Sequence, residues 1–314
     1  MTSTAKKAPV RLVTVDADSA ERRLDNFLLG ELKGLPRTRV YRLIRKGEVR
    51  VNKGRSKAAY RLVEGDVVRI PPVHGLAEGA PLHAPGRHKV DWVLDHVLFE
   101  DEVLLVLDKP SGLAVHGGSG ITLGAIELLR AVRPDCRYLE LVHRLDRETS
   151  GILLIAKKHS ALRDLHAQLR EGTVQKRYTA LLLGVWAGDQ RRVNLALVVE
   201  HRRNGERHVR TGTEGKPSES IFTPLERYPE ATLCDVQILT GRTHQIRVHA
   251  AAIRHPVAGD QRYGDGHGSP AGLHRLFLHA RELTFVHPST GEQLTLAAPL
   301  PTPLKQVTQR LRES

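Results

Sequence analysis

The stretch "PPVHGLAEGAPLHAPGRH", residues 71–88, limits the possible folds more than any other feature of the chain. It is rich in Pro, Gly and Ala and has no apolar period, so neither a helix nor a strand is expected to run through it. The chain therefore divides there, and 314 residues are enough for about two domains. We read residues 20–72 as a small first domain, 73–88 as a linker and 89–314 as the second domain. Residues 1–19 are a lead-in whose polar start is expected to be frayed and flexible. Hydrophobic residues make up 40% of the chain, which suffices for ordered cores, and no internal repeat is evident.

Charge separates the two parts further. The whole chain carries a formal +13, which points to a polyanionic partner. From Lys33 to Lys57 there are ten basic residues against one acid, Glu48, a net +9 in 25 residues. Before this stretch, Leu24, Phe27, Leu28 and Leu32 fall at the spacing of an amphipathic helix. Within it, Val40, Leu43 and Ile44 make a second narrow apolar face, and Gly47 is placed to cap that helix. "EVRVN" and "DVVRI" alternate as short strands, with turn chemistry at Asn52-Lys53-Gly54. Two short helices and small strands with a basic surface make a compact RNA-binding module. Its candidate contacts are Arg37, Arg39, Arg42, Arg45, Lys46, Arg50, Lys53 and Arg55. A solvated helix face usually mixes both signs; here acids are almost absent. Tyr41 and Tyr60 are the aromatics of the stretch, so phosphate contact should outweigh base stacking.

A membrane surface is the rival polyanion. No apolar run approaches the ~18 residues of a spanning helix, and the start does not read as a signal peptide. Cys136 and Cys234 lie far apart with no paired spacing, which fits a reducing compartment rather than a disulfide or zinc framework. The 17 histidines are scattered and HExxH is absent, so no metal site is expected. A cytoplasmic, monomeric protein without membrane association is the expectation.

In the second part, short apolar runs outnumber helical patterns. Val103–Leu107 reads as a strand leading into a Lys-Pro turn, and Gly117-Gly118-Ser119-Gly120 precedes the helix "TLGAIELLRAV". Such a loop can cradle phosphate, but neither GxxxxGK[ST] nor GxGxxG with a ribose-binding acid is present, so a plain loop without a cofactor is expected. Ser160 is placed to cap a helix with Leu162, Leu165 and Leu169 inward. "VQKRYTALLLG" reads as a strand, and Thr243 could cap a helix lined by Ile246, Ala250 and Ile253. The class is α+β: a large mixed, mostly antiparallel sheet flanked by helices, behind the small basic domain.

The chemistry points to "LVHRLDRETSGILLIAKK", residues 141–158. Asp146 lies between Arg144 and Arg147, just ahead of a small-residue turn and the apolar segment Ile152–Ala156, which reads as a buried strand. A neighbouring Arg lowers a carboxylate's pKa by about 1–3 units and keeps it ionised as a nucleophile. On the residues alone, Asp146 could equally cap a turn or pair with Arg144 or Arg147.

"HRLDRETSG" resembles the signature motif of one large family of pseudouridine synthases, in which the Asp is the essential catalytic residue. "DKPSGLAVH", "QKRYTAL" and "TGRTHQIRVHAAAIRHPVAGDQRYG" are similar to the family's other blocks and occur in the same order, across residues ~95–290. Residues 20–72 resemble the S4 domain, a small RNA-binding fold. The resemblance implies a cofactor-free isomerisation of uridine to pseudouridine. Asp146 would be the nucleophile or its equivalent and Arg247 its salt-bridge partner. Tyr178 would stack on the target base, and Arg144 would help hold the flipped-out site open. "EGKPSES" and "HRLFLHARELTFVHP" are most similar to the C branch of large-subunit synthases. That branch implies 23S ribosomal RNA or pre-ribosomal particles as partner, with several uridines modified. The D branch, acting on other uridines, and a non-catalytic S4-type RNA-binding protein are the alternatives. One departure is Arg254-His255-Pro256, where the family usually has Gly-His-Pro.

Overall fold

The computed structural model describes residues 9–17, 19–32, 35–73, 90–117, 123–136, 138–201, 207–264 and 270–314. The chain separates into two compact units, Met1–Gly86 and Arg87–Ser314. Of the linker expected over 73–88, all but Val73 lies outside the described residues, as do Gly118, Ser119 and Gly120.

The first unit contains β1 (Arg11–Thr14), α1 (Leu24–Glu31), α2 (Arg37–Arg45), β2 (Arg50–Val51) and β3 (Val67–Ile70). Its antiparallel sheet has the order β1-β3-β2. The apolar periods meet in one core of Leu24, Phe27, Leu28, Val40, Leu43, Ile44, Val68 and Ile70. Buried Asp25 links the helices, accepting hydrogen bonds from Arg23 (2.7 Å) and from the Tyr41 hydroxyl (2.7 Å). Gly47 follows α2 with φ +70°, as a C-terminal cap requires. Residues 11–14, expected within a flexible lead-in, are instead β1, and Val15 is buried behind them. The alternation Val13, Val15 places both on the inner side, and β3 satisfies the backbone.

The second unit is built on a ten-stranded sheet. Its strands are β4 (Val97–Glu100), β5 (Leu104–Lys109), β6 (Glu140–Leu141), β7 (Ser150–Ala156), β8 (Gln175–Leu183), β9 (Arg191–Asn194), β12 (Glu219–Arg227), β13 (Ala231–Ile238), β14 (Leu278–Val286) and β15 (Gln293–Ala297). The order is β4-β5-β7-β14-β8-β13-β12-β9, with β15 on β14 and β6 on β7. Every pairing is antiparallel except β7 with β14. A separate hairpin joins β10 (Leu197–His201) and β11 (Arg207–Thr211). The helices are α3 (Ala125–Val132), α4 (His159–Glu171), α5 (Gln245–Ala252) and α6 (Thr302–Glu313).

Strand period sorts the core. Leu105, Leu107, Leu153 and Ile155 join one cluster with residues of α3 and α5, while Leu104, Val106, Ile152 and Leu154 join another with α4. Being covered on both faces, β7 is buried along its whole length, which explains its unbroken apolar run.

Two helix starts differ from expectation. Lys158, with extended backbone, occupies the N-cap of α4 and Ser160 lies inside the first turn. The chain leaves β7 through a two-residue bend, so helical geometry begins one residue before the serine. Thr243 likewise does not cap α5; the N-cap is His244, in the left-handed region at φ 54°. Leu165 is buried as expected, with Leu162 and Leu169 partly so.

Candidate active site

Asp146 lies on the loop between β6 and β7. Leu145 is buried in the core, while Arg144 and Arg147 are exposed to solvent. The loop is stitched to the turn after β5: Gly112 N–H donates to the Arg147 carbonyl (2.8 Å), Arg147 Nε to the Gly112 carbonyl (3.0 Å), and Ser111 Oγ to the Glu148 carbonyl (2.7 Å). Beneath them is Lys109, completely buried. Its Nζ donates to the carbonyls of Pro110 (2.9 Å), Leu113 (2.8 Å) and Arg147 (3.1 Å), using all three ammonium protons. Burial, reinforced by Arg275, pushes the Lys109 pKa down to about 7; the three carbonyls work the other way by solvating the charged form.

The far end of the loop is set by Gly151, at φ +108°. A Cβ here would stand 2.2 Å from the Ala280 carbonyl oxygen. Only glycine allows β7 and β14 to meet at this parallel pairing, and so fixes where the preceding loop emerges.

The Asp146 side chain is 26% exposed, and the groups that face it come from α5 and its N-cap rather than from its sequence neighbours. Arg247 NH1 lies 3.6 Å from Oδ2, and His244 Nε2 lies 3.9 Å from Oδ1. Arg247 is itself held by Asp260, through Nε–Oδ2 and NH2–Oδ1 hydrogen bonds of 2.7 Å each. Asp260 also accepts the backbone N–H of Arg262 (2.9 Å) and Tyr263 (3.1 Å). The Arg247 guanidinium sits 5.1 Å from the Tyr263 ring centroid, a cation–π distance. Tyr178, on β8, is 9% exposed in the adjoining core; burial, and then the charge of Asp146, push its phenol well above the usual range. It is therefore neutral at physiological pH.

A buried polar network holds α5 on the sheet. Gln245 Nε2 donates to the Glu219 carbonyl (2.8 Å) and Ser220 Oγ (2.9 Å). His249 bridges Ser218 and Ser220 at 3.0 Å each. The helix that carries Arg247 is thus registered against β12.

Of the residues singled out from sequence, Arg247 faces Asp146 and Tyr178 lies within reach of its charge. Arg144 is exposed on the same loop. His244, Asp260, Tyr263 and Lys109 were not singled out from sequence, although all lie inside the quoted blocks. Arg254 has φ 66° and donates its N–H to the Ala251 carbonyl as α5 ends. Glycine takes this left-handed position without strain, and the Arg254 side chain is exposed to solvent. At α3, the N–H groups of Gly117 and Gly124 both donate to Glu127 Oε2 at 2.9 Å, so a carboxylate of the chain takes these amides.

In the first unit, Arg42, Arg45, Lys46, Arg50, Lys53 and Arg55 are exposed and Arg39 is half-buried; the Arg37 side chain lies outside the described set. Among the described residues, no group of three or more His, Cys, Asp or Glu is arranged to hold a metal ion. No helix among them is long and apolar enough to cross a membrane.

Comparison with known proteins gives the same two units. Residues 22–68 match the S4 domain family and residues 103–252 the family described as RNA pseudouridylate synthase. A protein of Yersinia pestis named ribosomal large subunit pseudouridine synthase C is 53% identical over 310 residues, 97% of either chain. Its namesake in Escherichia coli (strain K12) is 52% identical over 311 residues, covering 97% of this chain and 98% of that one. Among solved structures, human RNA pseudouridylate synthase domain containing 4 superposes with a TM-score of 0.60 at 26% identity, covering 72% of this chain and 97% of the human one. Human RNA pseudouridylate synthase domain containing 1 gives 0.55 at 27% identity, covering 69% and 94%. With identity above one half along nearly its whole length, this chain belongs to the RNA pseudouridylate synthase family.

Proposed function

We propose that the protein converts several uridines of 23S ribosomal RNA to pseudouridine in the cytoplasm, with Asp146 as the catalytic carboxylate and no cofactor. The substrate class rests on the near full-length similarity to large-subunit synthases C. The observation that carries the chemistry is a partly exposed carboxylate set against an arginine whose own fork is occupied by Asp260.

The reaction breaks the uracil N1–C1′ bond, turns the base and joins C5 to C1′; the C5 proton leaves and N1 gains one, so no electrons or groups are exchanged. The target base must leave its helix to reach Asp146. Arg247 sets a positive charge beside Asp146, Tyr178 offers a neutral aromatic platform to the base, and Arg144 stands at the rim. The exposed basic residues of the first unit hold the RNA through its phosphates. Free rRNA and pre-ribosomal particles both meet these requirements.

Tritium release from a 5-[³H]uridine-labelled 23S transcript tests the proposal. Wild type should release tritium, and Asp146→Asn should bind the RNA equally well but release at least about 10³-fold more slowly. Release by the Asn variant at the wild-type rate would remove Asp146 from the chemistry. If neither protein releases tritium from transcript or from pre-ribosomal particles, the non-catalytic RNA-binding reading replaces it.

A further inference from the structure

His244 is held in an unusual way for a residue with no assigned task. It occupies the N-cap of α5 at φ 54°, ψ 20°, a conformation that non-glycine residues adopt at some cost. This backbone turn places the imidazole between Tyr263 and Asp146. Its Nδ1 lies 2.7 Å from the Tyr263 hydroxyl and its Nε2 lies 3.9 Å from Asp146 Oδ1.

The hydrogen-bond inventory sets the tautomer. The Tyr263 oxygen accepts the N–H of Val209 at 3.1 Å and has its own proton to give to Nδ1, whereas the opposite arrangement would turn a bare Nε2 lone pair toward the Asp146 carboxylate. Nδ1 is then the acceptor, and the single proton of a neutral ring sits on Nε2, facing the carboxylate. The ring is kept neutral: burial, with Arg247 and Arg262, outweighs the pull of Asp146 and Asp260 and lowers its pKa. Tyr263 is tied in turn to two further parts of the site, because its ring lies under the Arg247 guanidinium and beside His208 at 5.5 Å.

We infer that His244 is a positioning residue for Asp146, donating from Nε2–H to Oδ1 once RNA closes the site, in the tautomer that Tyr263 imposes. Arg247 then governs Oδ2 and His244 governs Oδ1, so the carboxylate is fixed in rotation. The inference rests on the proposed role of Asp146 and adds what orients it.

Two substitutions separate orientation from fold. Asn tolerates the left-handed backbone well, but its short amide reaches only the Nδ1 position. Gln fits that backbone less well, yet carries an N–H out to the place of Nε2. Backbone strain therefore favours His244→Asn, and the proposed hydrogen bond favours His244→Gln. Single-turnover tritium release from labelled 23S transcript should fall roughly 10- to 100-fold in His244→Asn, as for loss of one hydrogen bond to a charged group. The RNA dissociation constant should not change, and His244→Gln should recover most of the rate. Tyr263→Phe, which keeps the ring but removes the hydroxyl, should give an intermediate rate. In ¹⁵N-histidine spectra it should move the His244 signal away from the Nε2–H tautomer.

A wild-type rate in His244→Asn, or a Gln variant no faster than Asn, overturns the inference. So does an unchanged tautomer in Tyr263→Phe. If wild type releases tritium and Asp146→Asn does not, those failures leave the catalytic reading standing. Absence of release by wild type on every substrate removes both.

Discussion

Arg247 holds Asp260 through two hydrogen bonds of 2.7 Å but stands 3.6 Å from Asp146. The arginine is thus spent structurally on one acid and offered electrostatically to another. A bidentate pair fixes guanidinium orientation, so Asp146 faces a stationary positive charge without being locked into the pair. Its carboxylate remains free to meet a base.

Asp260→Asn should therefore damage more than activity. It leaves Arg247 buried without its counter-charge, which costs about 3–5 kcal/mol. Urea unfolding of the full chain should show that loss, accompanied by slower tritium release. A change below about 1 kcal/mol would mean that Asp146 and Glu148, 3.8 Å from Arg247, can take over the anchoring.

Gly151→Ala should displace the loop that carries Asp146. The left-handed backbone and the collision with the Ala280 carbonyl combine, with an expected loss of about 3 kcal/mol or more. Thermal unfolding should report a clear fall in midpoint and single-turnover kinetics a fall in rate. An unchanged midpoint would show that β7 and β14 can separate without penalty.

Stability should fall in mild acid. The Nε2 of His143 accepts the N–H of Leu154 (3.1 Å), and buried His279 sits between Ser150 (3.0 Å) and the Ala298 carbonyl (3.2 Å). Burial pushes both rings down to about 4, against ~6.5 when unfolded. The unfolded chain takes up these protons first, so the contribution is complete above about pH 6.5 and is lost as pH falls through about 4. Each ring adds a slope of up to about 1.4 kcal/mol per pH unit within that window. Urea midpoints from pH 7 to 4 should show it; His279→Asn should flatten the curve.

Replacing Arg42, Arg45 and Arg50 together by Gln should weaken 23S RNA binding and reduce its salt dependence. Each lost phosphate contact lowers the slope of log K against log salt by roughly 0.7–0.9. An unchanged slope across salt concentrations would place the RNA contacts elsewhere.

Local pattern determined a good deal by itself. The alternation in "DVVRI" and the unbroken apolar run after Gly151 follow from whether one or both faces of a strand are covered. The leucine spacings of α1 and α4 follow from helical period, and the motif around Asp146 pointed to the chemistry through resemblance. Helix starts were less legible, because the entry geometry at Lys158 and His244 overrode the capping preference of Ser160 and Thr243.

Only the tertiary structure decided what surrounds the acid. The arginines beside Asp146 in sequence are exposed to solvent, and Arg147 engages the Gly112 carbonyl. The groups that face the carboxylate, the Arg247 cation and the His244 ring, arrive with α5 and its N-cap, and their anchors, Asp260 and Tyr263, arrive in the turn beyond it. Sequence patterns report how one element meets water and core; which distant side chains share a charge depends on strand order and helix docking, and no local period encodes that.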